Sequence, residues 1–169
     1  MRKRGFANGK LLESELRAYH NELANVWGAP KIGRLHAAKL LGAAAGDFSG
    51  LTVQGRPVLV EAKEVTSKAR FELDMVKPHQ LRGLREAATK GGIGVLVVRV
   101  QGVTWALSSA VLDAAIIQHE AGGPASLSPA DLDRVGARLE GVRWWGVELP
   151  GWSERQRGLF TEVKDAGKV

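Results

Sequence analysis

The first hydrophobic pattern in the chain has the spacing of a helix. Its apolar positions within residues 11–27 are Leu12, Leu16, Tyr19, Leu23 and Val26. Apolar residues three and four apart share one helix face, so this segment is predicted to be an amphipathic helix. Gly28-Ala29-Pro30 ends the helix. The small apolar segment that follows, residues 34–46, fits either a short helix or a strand with a glycine loop.

Two strand-like segments follow in GDFSGLTVQGRPVLVEAKEV, residues 46–65. They flank Gln54-Gly55-Arg56-Pro57, whose Gly and Pro favour a turn, so a β-hairpin is predicted. Residues 66–77 form a polar, basic connection. Pro78 then suits the first turn of a helix whose apolar positions are Leu81, Leu84 and Ala88.

The second half of the chain also alternates between strand-like and helix-like hydrophobic patterns. Residues 93–100, IGVLVVRV, predict a buried strand, and residues 103–108 predict its neighbour. The remaining predictions are a helix over 108–119, a loop over 120–129, a helix over 131–139 capped by Ser128, and a strand over 142–149. The order predicts an α/β fold with a central mixed sheet flanked by α-helices.

Composition narrows the class of protein. The 169 residues suit one domain, 1–169, in which 8–107 form the core and 108–169 extend it. There is no cysteine, which excludes disulfides, thiolate zinc sites and cysteine nucleophiles. No apolar stretch is long enough to cross a membrane, so no membrane partner and a cytoplasmic location are expected. The formal charge of +6 favours a polyanionic partner such as nucleic acid.

A candidate for chemistry lies where the apolar strand of the hairpin ends. Alternate side chains of a strand share a face, so Glu61 and Lys63 point the same way. A hairpin centred near Gln54 or Gly55 brings Asp47 across from Glu61, within a residue of register. Facing carboxylates repel each other unless a proton or a cation lies between them, and their oxygens suit Mg²⁺.

This pattern indicates metal-assisted phosphodiester hydrolysis. The metal lowers the pKa of a bound water and holds phosphate oxygens, while a lysine stabilises charge on the phosphate. The alternative is an ordinary Glu/Lys pair at the surface beside an unrelated Asp, which the short pattern Glu-x-Lys does not exclude by itself.

Asp47 followed by Glu61-Ala62-Lys63 across a hairpin resembles the catalytic motif of the restriction-endonuclease-like nucleases. The segment EAKEVTSKARFELDMVKPHQL, residues 61–81, is similar to RecU-like Holliday junction resolvases, and NGKLLE, residues 8–13, resembles the start of that family's first helix. The similarity runs from about residue 8 to about residue 100. It implies a restriction-endonuclease-like core and a Mg²⁺-dependent endonuclease, with Mn²⁺ as a possible substitute, that cuts paired strands of a four-way DNA junction.

The resemblance also assigns roles to residues. Asp47, Glu61 and the backbone carbonyl of Ala62 would bind the metal, and Lys63 would orient or activate the attacking water. Glu13 on the first helix would complete the metal shell, directly or through water, with Glu15 as the competing acid. Gln80 would hydrogen-bond the nucleophile or a phosphate, unless it is only a polar residue at a helix start.

Cationic residues near this motif are expected to contact DNA. They are Lys10, Lys68, Arg70 and Lys77. Phosphate contact is the expected role of such side chains. Phe71 either stacks on a base or packs against the core.

A four-way junction has approximate two-fold symmetry, so a homodimer with two active sites is expected. Two rival functions remain open at this point. One is a restriction or repair endonuclease of the same fold that acts on duplex DNA. The other is a junction-binding architectural protein without catalytic turnover.

Overall fold

The computed structural model describes residues 9–34, 46–154 and 156–159. Helix α1, Gly9–Leu23, begins the fold and places Leu12, Leu16 and Tyr19 in the core. The predicted amphipathic helix is confirmed, and it ends at Leu23 rather than at Trp27. The segment for which helix and strand were both possible begins with a strand residue, Arg34, but its residues 35–45 lie outside the described chain.

Within the described residues, the central sheet has six strands, in the order β1-β2-β3-β5-β6-β8. Their bounds are β1 Lys31–Arg34, β2 Phe48–Leu51, β3 Pro57–Val65, β5 Ile93–Val100, β6 Val103–Ser108 and β8 Ala137–Arg138. β3 and β5 are parallel, and every other neighbouring pair is antiparallel. The short strands β4, Phe71–Glu72, and β7, Ser126–Leu127, form a separate two-stranded sheet.

Each face of the central sheet has its own hydrophobic cluster. On one face, Leu12 and Leu16 of α1 pack with Val58 and Val60 of β3. On the other face, Leu59 lies in a cluster with residues of helices α2, Pro78–Thr89, and α3, Ser109–Glu120. The alternation along β3 thus divides its side chains between two layers, as the period of two requires. The fold is α/β with a mixed sheet flanked by helices.

Helix α2 packs unusually close to the sheet because Gly94 has no side chain. A Cβ on Gly94 would come within 2.1 Å of the Leu84 carbonyl oxygen. Any larger residue would therefore push α2 away from β5. The close approach matters for function because α2 carries Gln80, whose position is described below.

Residues after 108 complete the same fold. β8 pairs with β6, and Trp144, Leu149 and Trp152 belong to the cluster under α1. Helix α4, Pro129–Val135, is capped by the Ser128 hydroxyl, which accepts a hydrogen bond from the Asp131 amide. The helix predicted over 131–139 therefore starts earlier and ends at Val135.

The strand predicted over 142–149 is wrong. These residues form an irregular segment with turns at 142 and 145–146, and Trp144 and Leu149 enter the core from it without strand pairing. None of the helices described is both long and apolar enough to span a lipid bilayer.

Candidate active site

The β2–β3 hairpin brings Asp47 next to Glu61 and Ala62. Phe48 pairs with Val60, so the same register continued by one residue sets Asp47 opposite Glu61. The Asp47 amide donates to the Val60 carbonyl at 3.0 Å, and the Ala62 amide donates to Asp47 Oδ2 at 2.8 Å. Asp47 is therefore held by the backbone of β3, and its carboxylate lies beside the strand that carries Glu61.

Glu61 is a buried carboxylate with unequal oxygens. Its side chain is 1% exposed. Oε1 lies 2.7 Å from Lys63 Nζ and accepts a hydrogen bond from Gln80 Nε2 at 2.5 Å. Oε2 has no hydrogen-bond partner among the residues that the structure describes. A buried carboxylate oxygen without a donor is costly, so this atom is suited to a proton or a cation.

Electrostatics at Glu61 agree with that geometry. The pKa of Glu61 is raised to about 7, mainly by burial and then by the negative charge of Asp47, while Lys63 opposes the shift. The charge of Glu13 also raises this pKa. Desolvation and like charges both disfavour an isolated anion, and a divalent cation would relieve both effects.

The two acids of α1 have different surroundings. The negative charge of Glu13 contributes to the raised pKa of Glu61. Glu15 instead forms an ion pair with Arg99 of β5. Of the two acids, the geometry therefore favours Glu13 as the one directed to the site.

The carboxylate oxygens of Asp47 and Glu61 are suitable ligands for a hydrated divalent ion. Within residues 9–34, 46–154 and 156–159, no three His, Cys, Asp or Glu side chains form a group that could hold a metal. Asp47, Glu61 and Glu13 are thus not arranged so that all three could bind one metal ion directly. Mg²⁺ is commonly bound through one or two carboxylates and retains several waters. The adjacent carboxylates of Asp47 and Glu61 and the unpartnered Oε2 meet that need, and Glu13 is left to act through water.

Gln80 lies at the start of α2 with its amide fixed at both ends. Its Oε1 accepts from the Lys77 amide at 2.9 Å, while its Nε2 donates to Glu61. It is therefore both a helix-start residue and a neighbour of the candidate metal ligand.

The residues expected to contact DNA have several different environments. Phe71 is fully buried in the cluster with residues of α2 and α3, which favours the alternative that it packs against the core over stacking on a base. Arg70 Nε donates to Ser126 Oγ at 2.8 Å, and Lys68 lies 3.4 Å from Glu72. Lys10 and Lys77 are exposed.

Two functional candidates were missed by the sequence reading, Glu64 and Arg99. Arg99 is buried at 8% exposure in the middle of the sheet and contacts both Glu15 and Glu64. A signal was present, because Arg99 is the single charge in the apolar run IGVLVVRV, and a buried charge requires a partner.

The mixed sheet, with an Asp and a Glu-x-Lys pair on adjacent strands of a hairpin, defines the core of a restriction-endonuclease-like nuclease. A profile of the RecU family, recombination protein U, matches residues 28–143, which is more than half of the chain and includes the hairpin. The chain belongs to this family, the RecU-like Holliday junction resolvases of DNA recombination. No curated protein matches the sequence. Helix α1, with Glu13, precedes the matched residues.

Proposed function

We propose that this chain is a Mg²⁺-dependent endonuclease that cuts opposed strands of a four-way DNA junction. The observation that carries the proposal is the buried Oε2 of Glu61, which has no hydrogen-bond partner within the described part of the chain and lies in a carboxylate beside Asp47 and Lys63. Membership of the RecU family supports the substrate, and the formal charge of +6 supports binding to a polyanion.

Asp47 and Glu61 would hold the ion, with the Ala62 carbonyl as a further ligand and Glu13 acting through water. When bound, the ion would lower the pKa of a coordinated water and reduce the charge on the phosphate. Mn²⁺ would substitute, since it accepts the same oxygen ligands.

Lys63 would act on the phosphate and the nucleophile. Its Nζ contacts Glu61 Oε1. Because the Lys63 side chain remains 17% exposed, an entering substrate could reach it. A positive charge fixed beside the reacting phosphate stabilises the charge that develops in the transition state. Lys63 also keeps Oε1 of Glu61 occupied.

Gln80 would orient Glu61 rather than react. Because its own carbonyl oxygen is held by the Lys77 amide, its NH₂ group is turned towards Glu61 Oε1. This arrangement leaves Oε2 as the free oxygen of the carboxylate. A second donor of Gln80 would remain available for a water or a phosphate.

The proposed enzyme is a homodimer. Opposed strands of a junction are related by an approximate two-fold axis, and two copies of one site related in the same way would cut them symmetrically. Sedimentation equilibrium at micromolar concentration, with and without a synthetic junction, checks this part. A mass of one chain in both samples would contradict it.

Cleavage of a mobile four-way junction, compared with linear duplex of equal length, tests the proposal with and without Mg²⁺. We expect metal-dependent cleavage of the junction, and loss of cleavage in Glu61→Gln and Lys63→Ala with binding in Ca²⁺ retained. Glu86→Gln and Lys90→Ala are matched controls, since these exposed residues pair with each other on α2.

The rival functions give different results in the same assay. Equal cleavage of duplex and junction would favour a duplex endonuclease. Tight junction binding by the unaltered protein without metal-dependent cleavage would favour an architectural protein and overturn the enzymatic proposal.

A further inference from the structure

A partly buried cluster of charged and polar side chains joins α1 to the sheet on the face opposite to Glu61. It consists of Glu15, Glu64, Arg99 and Thr104, and we call it the Arg99 cluster. Arg99 Nε donates to Thr104 Oγ1 at 3.0 Å, and Nη1 donates to Glu15 Oε1 at 3.2 Å while Nη2 contacts Glu15 Oε2. Glu64 Oε1 lies 3.7 Å from Arg99 Nη1. The guanidinium group of Arg99 therefore connects α1 to β3 and β6, the two strands that flank β5.

Glu64 also caps the start of α1. Its Oε2 accepts a hydrogen bond from the Leu12 amide at 3.3 Å. Leu12 is the fourth residue of α1 and so lies in its first turn, where the backbone amides point towards the start of the helix. A carboxylate at this end also interacts favourably with the helix dipole. Since α1 has no acidic residue in its own first turn, β3 supplies the charge.

The two contacts fix how α1 is turned. Successive helix residues are about 100° apart, so Glu13 and Glu15 flank the buried stripe of Leu12 and Leu16 on opposite sides. Arg99 holds Glu15 on one flank. Rotation of α1 about its axis is thereby limited, and Glu13 on the other flank stays where its charge reaches Glu61.

Stability alone is a weak reason for such a cluster. Replacing a buried ion pair by well-packed apolar residues is often neutral or stabilising, because desolvation offsets the attraction. A bidentate Arg–carboxylate pair does, however, specify orientation better than apolar packing does. The Arg99 cluster includes Glu64 of β3, the residue that follows Lys63. Because alternate side chains of a strand point to opposite faces, the cluster and Lys63 lie on opposite faces of β3.

We propose that Glu64 and Arg99 are positioning residues that set the depth and rotation of α1 and so hold Glu13 at the active site. This inference rests on the proposed function, because the role of Glu13 does. Neither residue touches the substrate. They affect cleavage by positioning Glu13. They therefore change the rate at which the bound junction is cut, and not the binding of the junction.

The test combines amide hydrogen exchange with steady-state kinetics on the junction in Mg²⁺. Glu64→Ala removes both the cap and the charge, whereas Glu64→Gln keeps an oxygen that can accept from the Leu12 amide. We expect Glu64→Ala to speed exchange at the start of α1 and to lower kcat by about 10–100-fold, with KM nearly unchanged. Glu64→Gln should restore most of the protection of α1, and Glu86→Ala is the control.

A double-mutant cycle with Glu13→Gln decides whether the effect passes through Glu13. We expect Glu64→Ala to cause no further loss of kcat in the Glu13→Gln background. Independent, multiplying losses would overturn the inference, as would unchanged exchange in α1. If Glu64→Ala does not fold, Arg99→Lys replaces it in the test, because lysine keeps the positive charge but not the bidentate contact with Glu15. We then expect Arg99→Lys to lower kcat.

Failure of the proposed function gives a separate result. If the unaltered protein does not cleave the junction, the kinetic part loses its premise and the positioning role at an active site is overturned with it. If the unaltered protein cleaves but Glu64→Ala does so at the same kcat, only the inference fails.

Discussion

The side-chain amide of Gln80 donates a hydrogen bond to Oε1 of Glu61, from the first turn of α2 to the middle of β3. Gln80→Ala removes this donor and also the acceptor for the Lys77 amide. We expect the free energy of unfolding of the metal-free protein to fall by about 1–3 kcal/mol, because the buried carboxylate loses one of its two donors. Urea titration measures this change. Gln118→Ala, on the exposed face of α3, should change stability little.

Metal binding should stabilise the fold through Glu61. A Mg²⁺ concentration tenfold above the dissociation constant adds about 1.4 kcal/mol to the free energy of unfolding. For a chain of this size, that raises Tm by roughly 3–6 °C. We expect the shift in the unaltered protein with Mg²⁺ or Mn²⁺, and no shift in Glu61→Gln. Glu86→Gln should behave as the unaltered protein does, and an equal shift in Glu61→Gln would contradict a site at this residue.

His20 should make stability depend on pH. It is buried, its Nε2 accepts from Trp144 Nε1, and burial lowers the pKa of His20 to about 4. An unfolded histidine has a pKa near 6.5, so between about pH 6.5 and 4 the unfolded chain binds a proton that the folded chain does not. This residue therefore lowers stability as pH falls, by up to about 1.4 kcal/mol per pH unit.

Glu61 contributes with the opposite sign, because its pKa is raised in the folded protein and stability from it falls as pH rises from about 4.5 to 7. Because the two effects oppose each other, the pH dependence of the free energy of unfolding has to be compared between variants. Calorimetry of His20→Gln, which keeps an acceptor for Trp144, should show a weaker loss of stability towards pH 4. His119→Gln is the exposed control. Identical pH curves for His20→Gln and the unaltered protein would refute this assignment.

Phe71 should matter for folding and not for DNA. Because its ring is fully buried, Phe71→Leu should lower stability by about 1 kcal/mol through imperfect packing. Junction affinity at low temperature should be unchanged. Stacking of the ring on a base would instead cost about 1–3 kcal/mol of binding. A fluorescence anisotropy titration distinguishes the two, and a tenfold loss of affinity would reinstate the stacking role.

Lys77 should contact a phosphate of the junction. It is exposed and lies at the start of α2, next to Gln80. Lys77→Ala should reduce the slope of log affinity against log salt concentration by about one, because one fewer counterion is released on binding. The matched change Lys90→Ala, at the far end of the same helix, should leave the slope as it was. Equal slopes for all three proteins would exclude Lys77 from the contact surface.

Local patterns were sufficient for much of the fold. The stripe of α1, the Gly and Pro of the hairpin turn, and the apolar run of β5 each specify one element by their own spacing. The turn also set the register of β2 and β3, and so the approach of Asp47 to Glu61 could be expected from the sequence.

Other features depend on tertiary packing that no local pattern specifies. Residues 142–149 have the composition of a strand, yet Trp144 lies in the core within an irregular segment, where its Nε1 donates to Nε2 of the distant His20. Phe71 sits in a basic connection and is drawn inward by the pairing of β4 with β7. The cap that Glu64 provides for α1 joins positions 52 residues apart, which periodicity cannot reveal.

The parallel pairing of β3 with β5 has a consequence during synthesis of the chain. The β2–β3 hairpin leaves the ribosome before β5, and the other edge of β3 stays unpaired until β5 emerges and its Arg99 can pair with Glu15, 84 positions away. Contacts of such long range form late in folding. We expect a nascent or truncated chain that ends before residue 93 to leave DNA intact, which a nicking assay on that fragment would check. The cell would then be exposed to cutting only by finished molecules.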